Sequence, residues 1–284
     1  MNYAHFLDRL TFSQKGKNLF FEIHKKNSDE HFSEMLKEAL NAYNAGDEIF
    51  GKYIKEFSEQ CDIPPEQITF YIYILLSEKT LDQYKSRGIS EDIFYSSLAD
   101  LARNCERTDE LYGVYGIQQE IYRCWFRLNF DLRLFRLGRL EFDIRECPED
   151  VPDYGVKTGD TVLGVHIPKG ENLLDDECEA SYKEARCFFK KYFNIENILF
   201  TCASWLMHPW LNDVLPKSSS IVIFQSKFNL FKIETHYPTL INWLFPGCEK
   251  KTLDELPQKT SLQRAAVKRM KNREAAGYAI GIRR

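Results

Sequence analysis

The chain has 284 residues, 44% of them hydrophobic, 14% aromatic and 28% charged. That exceeds the ~100–200 residues usual for one domain, so two packed domains are expected and a disordered, collagenous or low-complexity chain is excluded. Net charge is −4, yet residues 257–284 hold eight Lys/Arg against one Glu, which leaves the first 256 residues at −11.

The longest uncharged apolar stretch, Ile68–Leu76, falls far short of the ~20 residues that cross a bilayer. The N-terminal segment carries Asp8 and Arg9 without the apolar run and small-residue cleavage site of a secretory signal. The expectation is a cytosolic protein with no membrane partner. None of the eight cysteines, at 61, 105, 124, 147, 178, 187, 202 and 248, is spaced as C-x-x-C, so they are expected to be buried thiols rather than a zinc or redox motif.

Up to about residue 132 the apolar spacing is helical. Residues 31–45 put Phe32, Met35, Leu36, Ala39, Leu40 and Tyr43 on one stripe that Gly46 ends, and 47–61 repeat the pattern with Phe50, Tyr53, Ile54 and Phe57. Pro64 and Pro65 open a segment to Arg87. Its Ile68-Thr-Phe-Tyr-Ile-Tyr-Ile74 run favours a strand by residue type, but its length and the closing Gly88 favour a helix. Ser90 caps a further helix, and residues 117–132 make one more. The first domain, 1–132, therefore reads as a helical bundle with an aromatic core.

From Leu134 the elements shorten and mix. Leu134–Phe142 reads as a strand with a bulge at Gly138, and Thr161–Pro168 as its antiparallel partner. Leu173–Asn194 is an amphipathic helix capped by Asp175 or Asp176. Ile198–Cys202 is a buried-type strand, a short helix follows Pro209, and Ile221–Phe224 reads as a strand. Thr260-Ser-Leu-Gln263 is a capping box that opens a basic helix closed by Gly277, and Tyr278–Ile282 is the last strand. Residues 133–284 thus form an α/β (α+β) mix with antiparallel and parallel pairing. The acidic balance and the lack of aromatics interleaved with basic residues argue against nucleic acid. His166, His208 and His236 have no metal-ligand spacing.

Four segments carry a family resemblance: Phe135-Arg-Leu-Gly-Arg-Leu-Glu-Phe142, Val162-Leu-Gly-Val-His-Ile-Pro-Lys-Gly170, Phe200-Thr-Cys-Ala-Ser-Trp-Leu-Met-His-Pro-Trp-Leu211 and Thr260-Ser-Leu-Gln-Arg264. Together they resemble the bacterial acyltransferase-domain proteins that join a helical N-terminal domain to a GNAT-like C-terminal domain. The resemblance implies an N-acyltransferase fold in which acyl-CoA lies between two splayed parallel strands, here 162–168 and 198–205. The N-terminal domain would shape the acceptor side of the cleft. The resemblance also implies that Val165, His166, Ile167, Lys169 and Gly170 hold the pantetheine and pyrophosphate, with Arg264 of the basic helix as further positive charge. Two departures stand out. The family's Gln/Arg-x-x-Gly-x-Gly/Ala loop is replaced by Lys169-Gly170, and the next helix opens on Asp175-Asp176-Glu177, carboxylates that would repel a diphosphate.

Moving an acyl group to an amine needs a base for the amine, a polarised thioester carbonyl and a proton for the thiolate. His166, at a strand end beside a Gly-containing turn, is the first base candidate, and Glu141 on the neighbouring strand is the second. Arg136 and Arg139 either hold an anionic substrate or make structural pairs. The resemblance implies that the end of 198–205 faces the thioester, so that Ser204 would protonate the leaving thiolate and Trp205 would wall the acyl pocket. Cys202 would lie there too or, on a rival reading, is a covalent nucleophile with His166 or His208. The leading expectation is an acyl-CoA-dependent N-acyltransferase acting on a small amine. The alternative is a non-catalytic binding or interaction protein on a degenerate scaffold, its cleft plugged by Trp205, Phe200 or Tyr278.

Overall fold

Gly46 and Pro65 divide the N-terminal half into helices by simple backbone chemistry: the first has φ +130°, the second supplies a preset first helical residue. The computed structural model describes residues 2–170 and 172–284, and of residues 120–122 the backbone alone. Its contacts divide the chain into Met1–Phe135 and Arg136–Arg284.

The first unit is helical: α1 (Tyr3–Arg9), α2 (Gln14–Lys25), α3 (Glu30–Ala45), α4 (Asp47–Cys61), α5 (Pro65–Ser86), α6 (Glu91–Leu98), α7 (Asp100–Tyr112) and α8 (Gln119–Phe130). The strand-like run in α5 has a physical explanation. Every residue from Ile68 to Ile74 is buried, so this is a central helix, apolar all round, rather than an amphipathic one. Its Tyr73 hydroxyl donates to the Arg123 carbonyl of α8 at 2.6 Å.

The second unit is built on a six-stranded sheet in the order β1-β2-β3-β4-β6-β5. Its elements are β1 (Leu134–Leu137), β2 (Leu140–Glu146), β3 (Thr161–His166), α9 (Asp175–Phe193), β4 (Phe200–Ser204), α10 (Ser220–Ser226), β5 (Asn229–Thr235), α11 (Tyr237–Leu244), α12 (Ser261–Lys271) and β6 (Gly277–Arg283). β1 straddles the division between the units. β2–β3, β4–β6 and β5–β6 are antiparallel; β3–β4, joined through α9, are parallel. Tyr182 of α9 packs against Phe142 and Phe200, with ring centroids at 5.7 and 4.8 Å, and so covers one face of the sheet.

Several local expectations are corrected. Gly138 (φ +65°) is a turn residue between β1 and β2, not a bulge within one strand, and it leaves room for Ser181 of α9. Ile221–Phe224 lies in the helix α10. The strand comes later, at Asn229–Thr235. Neither Asp175 nor Asp176 caps α9, whose N-cap is Leu174, although both lie in its first turn with Glu177. The Thr260/Gln263 capping box is present, but α12 ends at Lys271 with Asn272 as C-cap. Gly277 instead opens β6, where a side chain would collide with the Glu234 carbonyl and the His236 amide. Among the cysteines, 105, 147, 178, 202 and 248 are buried, whereas 124 and 187 are exposed. Among the described residues no helix is long and apolar enough to cross a membrane, and no group of three or more His, Cys, Asp or Glu could hold a metal ion.

Candidate active site

Strand alternation puts Phe142 and Ile144 of β2 on one face of the sheet and Glu141, Asp143 and Arg145 on the other. The β2–β3 register pairs Glu141 with His166, Asp143 with Gly164 and Arg145 with Val162. Three charged side chains and one histidine therefore share a face, opposite α9. Near Val162 this face is closed by Cys147, Val151 and Val156, which pack with Ile282. Toward the far end of β3 and β4 the cover thins: Ala203 is exposed, and His166, Ser204 and Trp205 are half-buried.

On this face, Asp143 and Arg145 meet His166. The His166 Nε2 lies 2.6 Å from Asp143 Oδ1 and 2.9 Å from Arg145 Nη2. Arg145 also grips the carboxylate directly, from Nε at 3.0 and 2.9 Å and from Nη2 at 2.7 Å. Burial alone would raise the Asp143 pKa, but the bonds and charges of His166 and Arg145 outweigh it and hold the carboxyl below its ordinary value. For His166, burial outweighs the attraction of Asp143, and with the Arg145 charge acting in the same direction the imidazole is held below 6.5 and neutral at pH 7.

The second feature is the parting of two strands. β3 and β4 are in register only at Leu163↔Phe200 and Gly164↔Thr201. Beyond that point β3 stays with β2 as far as Glu141↔His166, and β4 stays with β6 as far as Ser204↔Ala279. The Leu163 amide donates across to Leu199 at 2.9 Å. By alternation the backbone groups of Val165 and Ile167 point the same way, into the widening gap, where those of Ala203 face them.

The predicted residues divide between those on β3, the turn after it and the end of β4, which border the gap, and Arg136, Arg139 and Arg264, which bond elsewhere. Val165 and Ile167 edge it through their backbones. Lys169 and Gly170 (φ +102°) form the exposed turn that follows. Glu141 is buried on the His166 face. Ser204 lies on the α9 side, where its Oγ accepts the Leu206 amide and caps the turn Trp205–Met207. Cys202 is also on that side, buried, and burial pushes its thiol up to about 12, so little nucleophilic thiolate exists at neutral pH. Trp205 packs on the satellite core of Trp210, Leu211 and Leu240. Arg264 donates to the Gln258 and Lys259 carbonyls at the mouth of its own helix. Arg139 donates from Nε to the Asn172 carbonyl and from its backbone to Ser181 Oγ, at the β1–β2 turn, where Arg136 bonds the Gly138 carbonyl.

Two of the four carboxylates at the start of α9 are paired, from two elements, while Asp176 and Glu177 are exposed. Asp175 pairs with Lys227 at 3.0 Å, and Glu179 takes both nitrogens of the Arg283 fork at 3.0 and 3.1 Å. Sequence reasoning missed Asp143, Arg145 and Gly164. Their signal was the alternation of charged Glu141, Asp143 and Arg145 with apolar Phe142 and Ile144 in a strand destined for the interior.

Two domain families match the chain: the N-acyltransferase N-terminal domain over residues 1–132 and the GNAT-like C-terminal domain over residues 134–283. No curated protein matches it in sequence. Among solved structures it is similar to an acyltransferase in complex with decanoyl-CoA, at 24% identity and TM-score 0.66, over 77% of this chain and 66% of that one. A second, an acyltransferase with decanoyl-CoA and teicoplanin, shares 20% identity with a TM-score of 0.75 over 99% of this chain and 86% of the other. A mutant acyltransferase with octanoyl-CoA shares 19% identity, TM-score 0.76, over 99% and 87%. At these identities the likeness is one of fold. The matches over both halves show that the chain belongs to the acyltransferase family built from an N-acyltransferase N-terminal domain and a GNAT-like C-terminal domain.

Proposed function

We propose that this chain transfers an acyl group from acyl-CoA to an amine. The observation that carries the reading is the parting of β3 from β4 beyond Gly164 and Thr201 beside a neutral, carboxylate-bound His166. Peptide-like amides of a pantetheine arm complete the backbone hydrogen bonding that the gap leaves unmade, much as an added strand would. Structures of the same fold hold decanoyl-CoA and octanoyl-CoA.

His166 takes the proton as the amine nitrogen attacks the thioester carbon; the C–S bond breaks, and the thiolate takes a proton either from the His166 imidazolium or from the Ser204 hydroxyl, which then regains one from solvent as His166 releases its own. His166 and Ser204 lie on opposite faces, so the thioester runs between them. The diphosphate meets Lys169, the exposed turn amides and an α9 terminus whose Asp175 and Glu179 are already paired with Lys227 and Arg283. Mixing the protein with octanoyl-CoA and a panel of primary amines while following thiol release tests the reading. Amine-dependent release that fails in His166→Ala supports it; acyl-CoA binding without release with any amine would favour a non-catalytic carrier on the same scaffold.

A further inference from the structure

We infer that Asp143 is the positioning residue of this site: it fixes His166 in the tautomer whose basic nitrogen is Nδ1, and Arg145 keeps Asp143 in the ionised form that does so. The inference deepens the acyl-transfer reading and rests on it for its functional consequence.

His166 has two carboxylates within the reach of its face: Glu141 directly opposite in the register and Asp143 on the diagonal. The imidazole takes the diagonal one, Nε2 to Asp143 Oδ1 at 2.6 Å. Two residues make that choice possible. Gly164 lies between His166 and Val162 on the same face, directly across from Asp143, and any side chain there would occupy the space of the Asp143 carboxylate and the Arg145 guanidinium. Arg145 then clamps both carboxylate oxygens through Nε and Oδ1 again through Nη2. A bidentate guanidinium holds a carboxylate ionised, and an ionised carboxylate can only accept.

The proton between Asp143 and His166 therefore belongs to Nε2, and the lone pair to Nδ1. Arg145 Nη2, 2.9 Å from the same nitrogen, has no lone pair to offer and adds positive charge beside the ring. That disfavours the imidazolium at rest, while Asp143 stabilises it once the amine proton arrives. The charged groups that β2 presents beside the ring are Glu141, Asp143 and Arg145; β4 presents Thr201 and Ala203 on this face, neither of them charged.

The test is Asp143→Asn, an isosteric change whose amide can turn either its oxygen or its NH₂ toward Nε2. Imidazole nitrogen chemical shifts of the intact protein, labelled at histidine, read the tautomer without turnover. The expected result is a protonated Nε2 in the wild type and a mixture of tautomers in Asp143→Asn. Alongside it, kcat for the amine-dependent reaction falls about 10²–10⁴-fold, KM stays within about twofold, and the acid limb of the pH profile moves to lower pH because the carboxylate that raised the His166 pKa is gone. A wild-type His166 protonated on Nδ1, or a variant with unchanged tautomer and unchanged acid limb, overturns the inference. A wild type with the expected tautomer that turns over no amine counts against the acyl-transfer reading alone.

Discussion

Gly164 stands directly opposite Asp143 across the β2–β3 ladder, and the missing side chain of the one is the space occupied by the carboxylate of the other. Gly164→Ala should therefore overpack a filled site, at a cost of about 1–3 kcal/mol, and separate Asp143 from Arg145. Urea unfolding at unchanged m-value measures the loss; a variant as stable as the wild type would contradict the packing described.

Protonation should weaken the fold in the acid range. His166 and His208 are both held below the ordinary 6.5, chiefly by burial, so below that value the unfolded chain binds protons the native one refuses and stability drains as pH falls toward the folded-state values. Asp143, held below 3.8, adds a second loss at lower pH. The unfolding midpoint should fall between pH 7 and 5, and less steeply in His166→Gln. An identical slope in that variant would mean His166 titrates normally in the folded protein.

Thiol reagents should leave turnover intact. Cys202 is buried with its thiol pushed up to about 12, while Cys124 and Cys187 are exposed. Mild iodoacetamide treatment at pH 7.5 followed by peptide mass analysis should find label on the exposed pair and not on Cys202. Parallel loss of activity and labelling of Cys202 would revive a covalent thiol mechanism.

Lys227 should matter to CoA through charge. It pairs with Asp175 in the first turn of α9, so Lys227→Gln leaves a bare carboxylate near the expected diphosphate position. Acyl-CoA affinity should fall about fivefold, the equivalent of roughly 1 kcal/mol, and more at low salt than at high salt. Calorimetric titration at two ionic strengths measures it; equal affinity would move the diphosphate away from α9.

Much of the fold was legible because local chemistry fixes it. Gly46, Pro65 and the Thr260/Gln263 box set helix ends within a few residues, and the Leu163/Phe200 strands carry their own apolar runs. Ile221–Phe224 misled because four apolar residues suit a strand or a buried helix equally. Tertiary bonds favour the helix: Gln225 of α10 donates to the Leu206 and His208 carbonyls. The true strand, Asn229-Leu-Phe-Lys-Ile-Glu-Thr235, is an edge strand with Ile233 exposed, and lacks a strong apolar signal. The place of His166 at the end of a strand was readable. Its pairing was not: the alternation over 141–145 marks Asp143 as an inward charge, but that it meets a histidine 23 residues away is set by register.

A gap between β3 and β4 that receives an acyl-CoA thioester should reveal itself in thermal unfolding with and without acetyl-, octanoyl- and decanoyl-CoA and free CoA. At about 100 times the dissociation constant, specific binding adds about 2.7 kcal/mol, so the midpoint should rise, and more for an acyl-CoA than for free CoA. No shift with any of the four at millimolar concentration would contradict it.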